Sequence, residues 1–256
     1  MKFAAIADIH GNSLALEAVL ADIAAEGISD IVNLGDFFSG PLDAEGTAEL
    51  LRGINAVSIR GNHDRYLVEQ VPEDMGPSDR IAYDQLATET LDWIRELPAS
   101  MVWRDEIFLC HGTPEDDNTY WLEKVITEKR VRSAALSEID AHAQGIAQPL
   151  ILCAHTHLPR TVTLPNGRLI VNPGSVGCPA YIDLTPIPHK VQAGNPHASY
   201  AILEKRPDGW SVSHRHVPYA HLDMSTLAME RGRPDWAEGL ATGWISNETF
   251  EDIISG

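Results

Sequence analysis

Five short clusters of metal-ligand side chains are spread along the chain. They are Asp8-Ile9-His10, Gly35-Asp36, Gly61-Asn62-His63-Asp64, His111, and Ala154-His155-Thr156-His157. Carboxylates, imidazoles and one amide suit hard or borderline divalent cations such as Mn, Fe, Zn, Co or Ni, and no Cys-x-x-Cys pair offers a soft sulfur site. A lone histidine reads equally well as a partly buried group without a role. The whole ordered set does not. It holds more donors than the roughly four to six that one ion takes, so two ions sharing a carboxylate, typically about 3.5–4 Å apart, is the economical arrangement.

Each cluster begins where an apolar run stops: AAIAD, IVNLGD, AVSIRGNHD, IFLCHG and LILCAHTH. Such a run ending in Asp, His or Asn reads as a buried strand that delivers a polar side chain at its carboxyl end, where ligands bind in open α/β sheets. Between them the periodicity predicts helices over Ser13–Ala25, closed by Gly27, and over Ala44–Arg52 and Arg80–Glu96. Strands are expected at Lys2–Ala7, Ile31–Leu34 and Ala56–Ile59, and the alternation implies a parallel sheet. Met101–Trp103 with Ile107–Cys110, Thr161–Leu164 with Leu169–Asn172, and Ser199–Leu203 with Trp210–His216 read as hairpins, the last two around Pro-Asn-Gly and Pro-Asp-Gly turns. Two mixed sheets with helices outside, a four-layer αββα sandwich, accommodate this order.

Composition narrows the class. The chain has 256 residues, 44% hydrophobic, enough for one sizeable α/β domain. Its formal net charge of −18 argues against non-specific binding to nucleic acid or to an anionic membrane. No signal peptide or membrane span is apparent, and Cys110, Cys153 and Cys178 read as buried thiols, so cytoplasm is the expected location. An anionic substrate would need local attraction, expected from the metals and from Arg60, Arg65 and Arg160 nearby.

In this order the five clusters resemble the signature of the calcineurin-like metallophosphoesterases, over residues 3 to about 217. Gly35-Asp36-Phe37-Phe38-Ser39-Gly40-Pro41 and Val171-Asn172-Pro173-Gly174-Ser175-Val176-Gly177 are similar to a branch of small prokaryotic phosphodiesterases. Ala154 stands where that family usually has Gly. The resemblance implies one ion on Asp8, His10 and His157, a second on Asn62, His111 and His155, and Asp36 bridging both. Mn or Fe is the leading expectation, with Zn, Ni or Co as alternatives. It further implies a hydroxide between the ions as nucleophile, His63 facing the leaving-group oxygen, and Asp64 orienting His63. From the residues alone there are duller readings: His63 could simply cap a helix start, and Asp64 could favour the helix macrodipole.

The implied domain covers residues 1–218. Within it, 113–148 is expected as an insertion with two helical stretches, a candidate lid or substrate wall in which Tyr120 and Trp121 could stack on a base. Residues 219–256 form a C-terminal extension, whose Trp236 and Trp244 would mark a homo-oligomer contact if exposed and would otherwise pack back on the core. His214, His216 and His221 are expected to face solvent, outside the metal site. The leading function is therefore a metal-dependent hydrolase of a small phosphodiester or phosphomonoester, such as a nucleotide. The alternatives are a dinucleoside-polyphosphate hydrolase and, more remotely, a non-catalytic protein-binding scaffold.

Overall fold

In the computed structural model, which describes residues 1–126 and 129–255, the expected hairpins and parallel strands assemble into two five-stranded sheets. The first takes β1 (Lys2–Ile6), β2 (Ile31–Asn33), β3 (Ala56–Ser58), β13 (Ala198–Arg206) and β14 (Gly209–Val217), in the order β14-β13-β1-β2-β3. β1, β2 and β3 run parallel, while β13 pairs antiparallel with β1, matching Lys2 to Glu204 and Ala5 to Ala201. The second takes β4 (Ser100–Trp103), β5 (Ile107–Cys110), β8 (Leu150–Leu152), β9 (Arg160–Thr163) and β10 (Leu169–Asn172), in the order β4-β5-β8-β10-β9. β5, β8 and β10 are parallel, so the strands that precede His111 and His155 point the same way.

Alternation along the strands divides the core. Phe3, Ala5, Val32 and Leu34 face Leu109, Leu150, Leu152 and Val171 of the other sheet in a fully buried layer. Their neighbours Ala4 and Ile6 pack outward on α1 (Ser13–Ala25), with α2 (Ala44–Arg52), α3 (Asn62–Glu69) and α5 (Thr88–Glu96) in the same cluster. Asn12 caps α1 by accepting the Ala15 N–H, and Asp43 caps α2 by accepting that of Gly46. Over the second sheet lie Trp121, Leu122 and the short α6 (Leu136–His142), which buries Ile139. These are the four layers of the expected sandwich.

Three expectations are corrected. The single helix over Arg80–Glu96 is two, α4 (Pro77–Tyr83) and α5, because Gln85 turns its amide to other backbone. It donates to the Ile81 carbonyl and accepts the N–H of Ala44. Among its described residues the 113–148 insertion has one helix, α6, and not two. Its first half is a hairpin of β6 (Glu123–Ile126) and β7 (Arg130–Ser133), in which Val125 faces Val131, as β-branched residues favour; residues 127 and 128 lie outside the description. That hairpin joins β11 (Ala180–Asp183) and β12 (His189–Gln192) in a third, four-stranded sheet that the sequence reading did not contain.

The C-terminal extension forms α7 (His221–Glu230), α8 (Pro234–Thr242) and α9 (Asn247–Ser255). Trp236 is buried against Leu42, Cys178 and Met224, whereas Trp244 is half exposed. Among the described residues no helix is long and apolar enough to cross a membrane.

Candidate metal centre

The strand ends deliver the seven expected ligands into one place. Backbone geometry marks them: Asp8, His10, Asp36, His155 and His157 all adopt positive φ, between 52° and 70°. For residues other than glycine each such position costs of order 1–3 kcal/mol and persists only where its surroundings hold it. They do. The N–H groups of Ile9 and His10 donate to the Asp36 carbonyl, and the Asp8 N–H donates to that of Gly35. The Asp8 carbonyl accepts the Ser175 hydroxyl and the Gly177 N–H. Asn172 donates to the Ala154 carbonyl. The Val171–Gly177 stretch thus braces both halves of the site. Two glycines permit the approach: a Cβ on Gly61 would collide with the Asp36 carboxylate and the His111 ring, and one on Gly177 with the Ile9 carbonyl.

Two triads result, Asp8 with His10 and His157, and Asp36 with His111 and His155, the donor atoms of each lying within 4.8 Å of one another. Asp36 Oδ2 is 3.1 Å from His111 Nε2 and 3.9 Å from His10 Nε2, so it reaches both groups. Nδ1 of His10, His111 and His157 each faces a backbone carbonyl, of Ser39, Leu34 and Cys178, at 2.7–2.8 Å. Only N–H can meet a carbonyl there, which leaves Nε2 as the free atom of each ring. His155 is turned the other way: its Nε2 meets the Asn118 carbonyl at 3.0 Å, which leaves Nδ1 free.

Whether divalent ions fit can be decided from these contacts. With both Nδ1 atoms protonated, the 3.1 Å approach of His10 Nε2 to His157 Nε2 sets lone pair against lone pair. Both oxygens of Asp8, Oδ1 of Asn62 and Nε2 of His111 are buried with no hydrogen-bond partner. Leaving such groups unsatisfied costs about 1–3 kcal/mol each. A cation in each triad would answer these defects, and the donor set fits divalent ions.

Without a cation the site is electrostatically divided. Burial pushes the Asp8 carboxyl well above the usual range. Burial lowers His10 and His155 to about 4, and His157 too is held well below its ordinary value. Neutral imidazoles are the form that binds metal. His111 is the exception, because Asp36 beside it outweighs burial and pushes it up to about 10.

His63 stands at the rim, its side chain about one-third exposed at 32%. Its Nδ1 lies 2.7 Å from Asp79 Oδ1 and 3.2 Å from the Ser39 hydroxyl. Burial alone would depress the imidazolium, but the Asp79 and Asp36 carboxylates outweigh it and raise it to about 9. The sequence reading assigned this orienting role to Asp64, and the structure corrects it. Asp64 accepts the N–H groups of Asp36, Phe37 and Gly61, tying two ligand loops together, and makes no hydrogen bond to the His63 ring. Asp79, from α4, was missed because nothing in its sequence neighbourhood resembles a site.

The expected arginines are likewise elsewhere, since none of the three lines the cavity onto which the ligands open. Arg60 pairs with Glu69, Arg65 with Asp117 and Arg160 with Glu123, in keeping with the acid excess of the chain. Trp121 is core, donating its indole N–H to Ile139, while the Tyr120 ring backs His155 at a centroid distance of 4.9 Å. The ligands open onto a cavity of about 640 Å³, whose walls include Asn118 of the insertion, Tyr181 and, from the C-terminal extension, Arg233 and Trp236.

Residues 1–205 match the model of the calcineurin-like phosphoesterase superfamily domain. The chain is 26% identical over 211 residues to the uncharacterized protein MJ0912 of Methanocaldococcus jannaschii, covering 69% of this chain and 76% of that protein. Among solved structures it is similar to a metallophosphoesterase from Sphaerobacter thermophilus, at 28% identity and a TM-score of 0.73, over 95% of this chain and 99% of that one.

Proposed function

The chain belongs to the calcineurin-like phosphoesterase superfamily, and from that premise we propose that it hydrolyses a small phosphodiester or phosphomonoester, such as a nucleotide, at a two-metal centre. The convergence of unpartnered, buried donors from both sheets carries this reading. Asp8, His10 and His157 would hold one ion and Asn62, His111 and His155 the other, with Asp36 between them. Mn or Fe leads among the candidates, since a mixed N/O donor set admits several metals. The chemistry that divalent ions supply in such a site is neutralisation of phosphoryl oxygens and activation of water at neutral pH.

The remaining steps fall to side chains. With Nδ1 committed to Asp79, His63 offers Nε2–H to the leaving-group oxygen and holds a proton there at neutral pH. Asp79 keeps that proton in place, and Asp64 keeps Asp36 and Asn62 in register through three backbone N–H groups. The cavity wall supports a substrate with one phosphate over a dinucleoside polyphosphate. Among the described residues, Arg233 is its one Lys or Arg, and Asp79 and Asp183 also line it. A polyphosphate would place several charges where few cations wait. A small phosphorylated molecule in the cytoplasm is thus the proposed partner.

The test is a panel of nucleotides, alkyl and nitrophenyl phosphoesters and a dinucleoside tetraphosphate, with Mn²⁺ present and after chelation. Activity should vanish with chelator and return with metal. Full turnover by thoroughly metal-free protein would sink the reading, and a preference for the tetraphosphate would restore the polyphosphate alternative.

A further inference from the structure

The superfamily match ends at residue 205, yet the cavity does not. Arg233 and Trp236 come from the extension. Trp236 sets its ring edge-on to the ligand His10, with centroids 5.8 Å apart. Arg233 is gripped on two sides: Nε and Nη2 donate to the Asp235 carboxylate at 3.0 and 2.7 Å, and Nη1 donates to the Ser78 hydroxyl at 2.7 Å. A guanidinium has five N–H donors. Three are used, so two remain on a side chain that is 21% exposed and lines the cavity.

The position of those two donors follows from Ser78. Its neighbour Asp79 binds His63, so adjacent residues at the start of α4 tie Arg233 and His63 to one end of the cavity. His155 meets the Asn118 carbonyl of the insertion, which forms another part of the wall. On the proposed function, His63 marks the side from which the leaving group departs. We propose that the extension completes the catalytic cavity and that Arg233 is a specificity residue, holding an oxyanion carried on the leaving group. This rests on the phosphoesterase reading and deepens it. The substrate class becomes a phosphoester whose leaving group bears a carboxylate. Asp235 fixes the fork instead of occupying all of it, and a fixed fork suits a planar or tetrahedral oxyanion more than a flexible ammonium does.

Two ligands differing only in that oxyanion separate the possibilities. Mn²⁺-loaded protein is titrated calorimetrically with propylphosphonate and with 3-phosphonopropionate, whose carboxylate stands in for the leaving-group anion. The wild type should bind the second about tenfold more tightly, as one or two charge-assisted hydrogen bonds allow. Arg233→Met should bring the two together, and Arg233→Lys should restore part of the gap through charge alone; melting temperature and metal content verify both variants. Equal affinities in the wild type would overturn the proposal. So would an Arg233→Met variant that weakens both ligands alike, since that would put Arg233 on the reacting phosphoryl group. Failure of both ligands to bind the metal-loaded wild type would strike the phosphoesterase reading itself, and this inference with it.

Discussion

Two buried polar clusters meet at the His155 ring, and they are finished differently. On one side, Asp8, Asn62 and His111 hold four buried atoms with no partner. On the other, the Tyr120 hydroxyl meets the Tyr181 hydroxyl at 2.8 Å, His189 Nε2 at 3.1 Å and Asp183 at 3.3 Å, and His189 Nδ1 meets the Ile187 carbonyl. Both clusters contain histidine and aspartate, and both border the same cavity, His155 on one side and Tyr181 and Asp183 on the other. The second satisfies itself and so needs nothing; the first is complete only with a ligand. Burial and residue type alone do not separate a site from a strut. Between these two clusters, the unmet hydrogen bonds that converge on one point do.

The largest expected effect is on the unfinished side. Asp36→Asn removes the carboxylate that reaches both triads, so it should deplete both sites of metal. Activity should drop by more than the roughly 10²–10³-fold typical of losing one transition-state donor. Asn62→Ala should weaken chiefly one site, and metal analysis of the two purified variants distinguishes them. Equal, full metal content in Asp36→Asn would erase the contrast between the clusters.

Next comes His63→Ala, which should keep its metal. It should lose roughly 10²–10⁴-fold on alkyl or nucleoside esters and much less on nitrophenyl esters, whose leaving group needs no proton. Equal losses on good and poor leaving groups would make His63 a charge stabiliser and not an acid.

Asp79→Asn sharpens the point with a smaller effect, about tenfold on poor leaving groups, because the roughly 10²–10⁴-fold that acid catalysis contributes is weakened and not removed. NMR should show His63 of the metal-free wild type titrating near 9. The variant should titrate lower, and so should metal-loaded wild type, because a neighbouring dication repels the imidazolium. The sign for stability follows. A histidine raised from its ordinary 6.5 to about 9 contributes fully below 6.5, and that contribution is lost as pH climbs through 9. Stability of the metal-free wild type should therefore fall between those limits more than that of Asp79→Asn.

The smallest effect belongs to the finished cluster. Tyr120→Phe should cost about 1 kcal/mol, or roughly 2–4 °C in Tm, with metal content unchanged. Loss of metal in that variant would mean that the Tyr120 hydroxyl and its partners belong to the site after all.

The sequence carried the centre well and its surroundings poorly, for one reason. Ligands that end apolar strands, such as Asp8, His111 and His155, are announced by the run before them and by their spacing, and the two parallel-stranded sheets follow from the same runs. Asp79 and Arg233 carry no such signal, because they act through loops and short helices that only tertiary packing brings to the cavity. β11 and β12 were illegible for a related reason: they are four residues each, set among Pro179, Pro186 and Pro188, with too few alternations to show a period. Asp64 was misassigned because adjacency in sequence to His63 suggested contact, whereas on α3 neighbouring residues point apart.

The pairing of β1 with β13 has a bearing on how the chain is made. β1 is the middle strand of its sheet, and the partner on one side lies some 200 residues later, as Lys2 matched to Glu204 requires. At roughly 5–20 residues per second on the ribosome, that flank stays uncovered for about 10–40 s of synthesis. Asp8 leaves the tunnel early, but the Ser175 hydroxyl and Gly177 N–H that anchor its carbonyl arrive only shortly before β13 does. A nascent chain would therefore show its first metal ligands long before it could hold them in place, and ribosome-bound fragments ending before residue 198 should be the form most in need of chaperone cover.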